Sequence, residues 1–371
     1  MKLLVVFILV YFSNPSLQAQ VGFGTINPDS SAAVDITDTA RGLLIPRMST
    51  AQKLAIRNPA TGLMIYQTDS VKGFWYYDGV DWKNINASPN YNGKHTIVLT
   101  DSITNSQAQA KITLEFGPNT QEIGIQGCLN LTAVDLSMVT RLVNITINDN
   151  PVLTNVNLAN LKNADGYFSV SLCPALTSLN VSSLETIVGN FGTGSPGLTI
   201  QNTGLLSINF PKLRRVIGYT GIDNNPNVTS VSFPLLQQLE RLNVTYNPQL
   251  TSFSCSNAKK IGSFSFGENK LLSVISFPAL TDCYLQHGLS VGNCPNLSSV
   301  VLGNLSSFNG TQLFIWGGKL SSTNVNALLN NFANIMPALT NRTIYVESMT
   351  PPAPPTGQGI VDKDFLIANG N

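Results

Sequence analysis

Charge is scarce in this sequence. Lys, Arg, Asp and Glu together make up 11% of 371 residues and leave a formal net charge of +1. The basic residues are scattered, so the concentrated footprint that nucleic-acid binding requires is missing. Ser, Thr and Asn must cover the surface instead, offering hydrogen bonds without fixed charge. Histidine is limited to His95 and His287, and neither stands beside a Cys, Asp or Glu at metal-ligand spacing. The patterns H-E-x-x-H and G-x-S-x-G are absent, which removes zincin and nucleophile-elbow chemistry. Long apolar runs are missing too. The longest, Leu3 to Phe12, falls well short of the about 20 residues needed to cross a bilayer. Lying between Lys2 and the small-residue site Leu17-Gln-Ala19, it reads as the core of a secretory signal peptide, residues 1–19. No cysteine follows that site to accept a lipid, and the mature protein is expected to be secreted, with no membrane span.

What the chain has in quantity is one stretch, repeated. Leu242-Asn-Val-Thr-Tyr-Asn-Pro-Gln-Leu250, written L-x-V-x-x-N-x-x-L, recurs at Ile145/Ile147/Asn150/Leu153 and Phe264/Phe266/Asn269/Leu272. Three copies carry Cys for Asn, with the cysteines at Cys128, Cys173 and Cys294. Two looser copies place Asn202 and Asn225 at the polar position, and a ninth, Leu313/Ile315/Gly318, has lost it. The second apolar residue falls at 125, 147, 170, 200, 222, 244, 266, 291 and 315, in steps of 22, 23, 30, 22, 22, 22, 25 and 24. A period in this range is the signature of a solenoid.

Each copy has two apolar signals. In L-x-V, alternate residues point to one side of an extended strand. A second alternation follows the turn, as in Val228-Thr-Ser-Val231-Ser-Phe233. One coil cannot bury these residues alone, so stacked neighbours must close the core. The polar residue sits where the chain leaves the strand, where a short side chain can satisfy the turn's backbone groups. The expected ladder is therefore Cys128, Asn150, Cys173, Asn202, Asn225, Asn247, Asn269 and Cys294. The step of 30 marks a surface insertion at Gly189–Gly197. That insertion contains Gly192-Thr-Gly194-Ser-Pro-Gly197, a literal G-x-G-x-x-G. A dinucleotide site needs a strand before this motif and a helix after it; a strand, Leu198-Thr-Ile200, follows, so it reads as a loop.

The motif resembles leucine-rich repeats, and the F-P-x-L-x-x-L half is most like the receptor-L-domain and BspA-like varieties, over residues 97–349. That resemblance implies a binding or adhesion module. Residues 20–87 carry the string V-G-F-G-T-I-N-P-D-S-S-A-A-V-D-I, then G-L-L-I-P-R-M-S-T-A-Q-K-L-A-I, then P-A-T-G-L-M-I-Y-Q-T-D. They resemble an N-terminal module of exported Bacteroidota surface proteins, with a likeness to phage tail-fibre segments. The resemblance implies a bacterial envelope protein and a homotrimer formed through residues 20–87. Residues 88–96 read as a polar linker, and residues 350–371 as a Pro-rich linker with a short terminal helix. Val325, Leu328, Leu329, Phe332 and Ile335 follow helical spacing and predict a capping helix. The expected fold is mainly β: a parallel β-solenoid of about nine leucine-rich coils, 22–25 residues each, with a C-terminal capping helix, preceded by a small α+β module.

Placed on the repeat, the five cysteines do not look like a disulfide set. Cys255 aligns with Phe233 and Phe277, and Cys283 with Leu239, all core positions. Cys128 and Cys173 are two coils apart, roughly 9–10 Å at the strand spacing, out of bridging range. Five buried free thiols are expected. The N-x-S/T sequons, from Asn130 to Asn341, read as by-products of Asn/Ser/Thr-rich repeats.

The acidic residues Glu115, Asp149, Asp223, Glu240 and Glu268 fall at different coil phases. Asp149 and Asp223 are about three coils apart, and no acid–base pair converges as a glycosidase would need. What remains is the outward strand face. Its residues are small and neutral over most coils, with aromatics at one end: candidates are Thr146, Asn148, Ser169, Asn243, Thr245, Tyr246, Ser265, Phe314 and Trp316. Concave solenoid faces are extended binding surfaces, and aromatics beside uncharged polar groups suit sugar rings or a protein. The sequence thus reads as an exported, non-enzymatic bacterial surface protein that binds an extracellular protein or glycan, in adhesion. It needs no cofactor and no metal. A polysaccharide-degrading β-solenoid and a structural spacer are the alternatives.

Overall fold

A computed structural model describes residues 20–85, 92–189 and 196–371. The expected signal peptide, the first part of the 88–96 linker and most of the Gly192–Gly197 loop lie outside the described residues. The chain divides into two compact units, Met1–Asn86 and Ala87–Asn371.

The first unit is a small α+β module. Val21–Phe23 pairs in parallel with Val34–Ile36. A four-stranded sheet follows, in the order Arg47–Met48, Met64–Gln67, Gly73–Tyr77 and Trp82–Asn84. Helix α1 (Thr50–Leu54) starts on a capping box in which Ser49 and Gln52 satisfy each other's backbone N–H groups. Asp78 closes the hairpin turn between the last two strands, its Oδ1 accepting from the Val80 and Asp81 amides at 2.8 and 2.7 Å. The unit buries little apolar surface: Ile65 is its fully buried hydrophobe, whereas Phe23, Ile26, Leu43 and Leu44 are 58–95% exposed. Lys53 is buried against Trp75, its Nζ 3.5 Å from the ring centroid, with Trp82 at 5.9 Å. Burial pushes the Lys53 ammonium below its ordinary range, opposed by the charge of Asp69.

The second unit is the solenoid. Its main sheet has sixteen strands among the described residues, and its principal path runs, in spatial order, through eleven parallel ones: Thr96–Thr100, Glu122–Gln126, Asn144–Asn148, Phe168–Cys173, Pro196–Thr203, Arg215–Asp223, Gln238–Thr245, Lys260–Gly267, Leu289–Gly292, Gln312–Trp316 and Thr343–Glu347. These define coils 1 to 11. The second apolar residues are in register from end to end, so Ile125, Ile147, Val170, Ile200, Ile222, Val244, Phe266, Val291 and Ile315 form one buried row. Coils 1 and 11, which lack the motif, continue the register with buried Leu99 and partly buried Val346.

Each middle coil turns from this strand to a short outer strand, such as Ser230–Ser232, then to a third ladder, such as Gln238 and Leu239. The outer strands form two separate sheets, Ala133–Asp135 to Ser178–Asn180 and Ser207–Asn209 to Ser299–Leu302. The 30-residue step falls between them. Phe168, Phe210, Phe233, Phe253 and Phe277 stack along the core with centroids 5.6–6.3 Å apart, a favourable range for ring pairs. The five cysteines are buried and unpaired, and burial pushes each thiol up, most strongly at Cys255 and Cys283.

Helix α2 (Asn105–Glu115) replaces the outer strand of coil 1, opening on a Thr104/Gln107 capping box. Helix α3 (Ser322–Ala333) is the expected cap and buries Val325, Leu328, Leu329 and Phe332. Helix α4 (Gln358–Ala368) packs on α3, where Asn330 Nδ2 donates to Asp362 Oδ2 at 3.1 Å. Leu366 of α4 is buried. No helix among the described residues is long and apolar enough to cross a membrane.

Candidate binding face

The polar row beneath the face is built by geometry that each coil repeats. Asn247 Nδ2 donates to the Ile222 carbonyl of the preceding coil at 2.8 Å and to Thr245 O of its own turn at 3.0 Å. The Asn225 amide of the preceding coil donates to Asn247 Oδ1 at 3.1 Å. Asn150 and Asn225 repeat this pattern, and Asn269 repeats its links to the coil before, accepting from the Asn247 N–H at 2.9 Å. Cys173 offers a single weak donor, its Sγ 3.2 Å from Ser171 O, and Cys294 does likewise at 3.5 Å from Gly292 O.

Coil 5 departs from the expected ladder. Its ladder residue is Thr203, in register with Cys173; Thr203 donates N–H and Oγ1 to Asn225 Oδ1 at 3.1 and 2.7 Å. Asn202 lies one position earlier, at φ +51°, and is not a ladder residue. It belongs to a column in which the chain turns left-handed at or just past the end of every main strand: Asp101, Gly127, Asp149, Leu172, Asn202, Asn224, Tyr246, Glu268, Asn293, Gly317 and Ser348, with φ between +51° and +71°. Asn, Asp and Gly tolerate this region best. Tyr246 is in this column too, so it stands on the turn edge and not on the strand face. There, 56% exposed, it lines an open notch of about 400 Å³ with Pro174, Asn202, Thr203, Asn224, Pro226 and Pro248.

The strand face itself is two patches joined by a bare floor. At coils 6 and 7, Asp223 Oδ1 accepts from Asn243 Nδ2 at 2.6 Å and from Thr245 Oγ1 at 2.7 Å. The Tyr219 ring and the Asp223 carboxylate fold over Gly221, where a Cβ would meet Tyr219 Cε1 and Asp223 Oδ2 at 2.8 Å each. Burial raises the Asp223 carboxyl above its ordinary value, against hydrogen bonds from Thr245, Asn243 and Tyr219. Burial, with the Asp223 charge, pushes Tyr219 up to about 12. At coil 10, Trp316 leans back over the neighbouring strand: a Cβ at Gly292 would meet its indole Cε2 at 2.6 Å. Phe314 packs edge-on against Tyr345, centroids 5.7 Å apart. Ser265, Gly267, Ser290 and Gly292 pave the floor between, in register.

Thr146, Asn148 and Ser169 lie on the same face at coils 3 and 4, remote along the axis from Trp316. Asn148 accepts from Ser171 Oγ at 2.7 Å, and Thr146 Oγ1 lies 3.4 Å from the Tyr167 hydroxyl. The structure therefore unites Asn243, Thr245, Ser265, Phe314 and Trp316 on one stretch and adds Tyr219, Asp223 and Tyr345. Tyr219 escaped the reading because it precedes a degenerate copy whose first apolar position is Thr220. Tyr345 belongs to coil 11, which has no motif.

Residues 22–106 match the family model described as the phage tail like trimerisation region. Over 154 residues, 42% of this chain, the sequence is 27% identical to Protein ecm33 of Aspergillus fumigatus. The match spans only 30% of that protein's length. No solved structure matches the chain.

Proposed function

We propose that this is an exported bacterial surface protein, of the style found in Bacteroidota, in which a trimerising N-terminal module presents a leucine-rich solenoid. The strand face of that solenoid binds an extracellular protein or glycan in adhesion, without catalysis. One observation carries the reading: aromatic and hydrogen-bonding side chains gather on a single stretch of an otherwise small and neutral face. Trp316 is 38% and Tyr345 49% exposed there, and large exposed aromatics on a folded surface are characteristic of interaction sites. Trimerisation draws support from the match over residues 22–106 and from the apolar residues that module leaves exposed.

A binding screen of residues 20–371 against immobilised glycans and extracellular-matrix proteins tests this, with Trp316→Ala run beside the parent chain. The expected result is a hit that weakens at least tenfold in the variant while the melting temperature holds. Absence of any hit, or bond cleavage in a bound polysaccharide, overturns it.

A further inference from the structure

We infer that the partner is an uncharged glycan chain, lying along the solenoid axis from the Trp316 indole, which covers Gly292, across Gly267 to Asn243, Thr245 and Asp223. This rests on the strand-face reading above and narrows it to one ligand class.

The register makes the trough. Asp223, Thr245, Gly267, Gly292 and Trp316 are direct cross-strand partners in consecutive coils. Four strand spacings put its ends about 19 Å apart. Gly267 leaves the floor at backbone level, Gly292 lies under the Trp316 indole, and Ser265 and Ser290 line its side with hydroxyls. A linear polymer fits this shape better than a compact ligand.

Its chemistry excludes the other partners. A protein needs about 800 Å² of closely packed surface on each side, with apolar area at the centre; this floor is glycine backbone and serine. An anionic polymer needs cations along its length, and the floor strands of coils 8 and 9 carry none on this face, Ser263, Ser265 and Gly267 on one and Ser290 and Gly292 on the next; Arg241 of coil 7 stands at the Tyr219 side, in register with Tyr219 and Ser263. Asp223 would repel such a polymer. A neutral sugar chain uses both ends. Its apolar ring faces rest against Trp316, and its hydroxyls exchange donors and acceptors with Asp223, Asn243 and Thr245, which already form one network.

The test fills the floor. A Cβ at Gly267 meets nothing closer than Thr245 Cγ2 at 3.5 Å, so Gly267→Gln occupies the trough without crowding the sheet. Residues 20–371 are titrated with laminarin, mannan and chitohexaose as neutral probes, hyaluronan and heparin as anionic probes, and fibronectin as a protein probe. Trp316→Ala, Trp316→Phe, Gly267→Gln and the turn-edge control Leu172→Asn are run in parallel, each with a melting curve. Binding of at least one neutral glycan is expected, weakened at least tenfold by Gly267→Gln and Trp316→Ala, partly kept by Trp316→Phe and unchanged by Leu172→Asn. Neutral-glycan binding that survives Gly267→Gln overturns the proposal, as does equal or tighter binding of the anionic probes. Binding of fibronectin alone, lost in Trp316→Ala, removes the glycan and leaves the strand-face reading standing. Silence from every probe removes both.

Discussion

At Asn247 one side chain answers three backbone groups: it donates to Ile222 O and Thr245 O and accepts from the Asn225 N–H. Asn247→Leu leaves them buried without partners and should cost about 1–3 kcal/mol, read from chemical denaturation; Asn247→Cys, which copies coils 2, 4 and 9, should cost less. The reverse case is Thr220, which fills an apolar position of coil 6 with its hydroxyl buried and unpartnered. Thr220→Val should stabilise by about 1 kcal/mol, and a lower denaturation midpoint would contradict that account. Asn202 explains where sequence reasoning slips at this scale. Two adjacent positions favour Asn for unrelated reasons, one for left-handed backbone and one for hydrogen bonding across coils. Counting three residues from Ile200 gives Thr203; choosing by residue type gives Asn202. Seven of the eleven left-handed positions are Asn, Asp or Gly, from Asp101 to Gly317, so that column was readable. Leu172, Tyr246, Glu268 and Ser348 hide it.

Among the elements, the strands announced themselves because alternation and period reinforce each other, and their register follows from the repeat. The caps were harder, since a terminal coil has no copy to be compared with. Thr104-Asn-Ser-Gln107 is a capping box ahead of α2, but the helix buries only Ala108, Ile112 and Glu115, too sparse a stripe to stand out. Glu115 ties this cap together, its Oε1 2.6 Å from Lys94 Nζ and 2.8 Å from Lys111 Nζ. Burial pulls its carboxyl upward, but Lys111 and Lys94 outweigh that and hold it below the ordinary 4.5. A depressed folded value stabilises above the unfolded one and loses that contribution as pH falls through it. Glu115→Gln should therefore lower stability by about 1 kcal/mol at neutral pH, and the gap should close as pH drops below about 4. Melting curves of both chains across that range check it; a gap independent of pH would rule the ion pairs out.

For the molecule as a whole, the N-terminal unit cannot be understood alone. Strand residues Val21, Phe23, Val34 and Ile36 are paired across two strands and 44–58% exposed, and clustered exposed apolar residues mark interaction surfaces. In solution the chain of residues 20–371 should have three times the monomer mass by light scattering, and a Phe23→Asp/Ile36→Asp double variant should return it to one. A monomeric parent chain would refute the trimer. A trimer would also change what a shallow trough can achieve, because linked weak sites bind a repetitive polymer far more tightly than one.

The asparagine row has a direction. Each Oδ1 accepts an N–H from the coil before it, as Asn269 does from Asn247 and Asn247 from Asn225. A coil is thus completed by residues about 22 positions later in the chain, and remains unfinished until they arrive. For a polypeptide that emerges N-terminus first, assembly runs one coil behind emergence, and the newest coil is always the least protected from solvent exchange. Chains cut after successive coils should lose amide protection first at the last remaining Asn, at the trailing end and not the leading one.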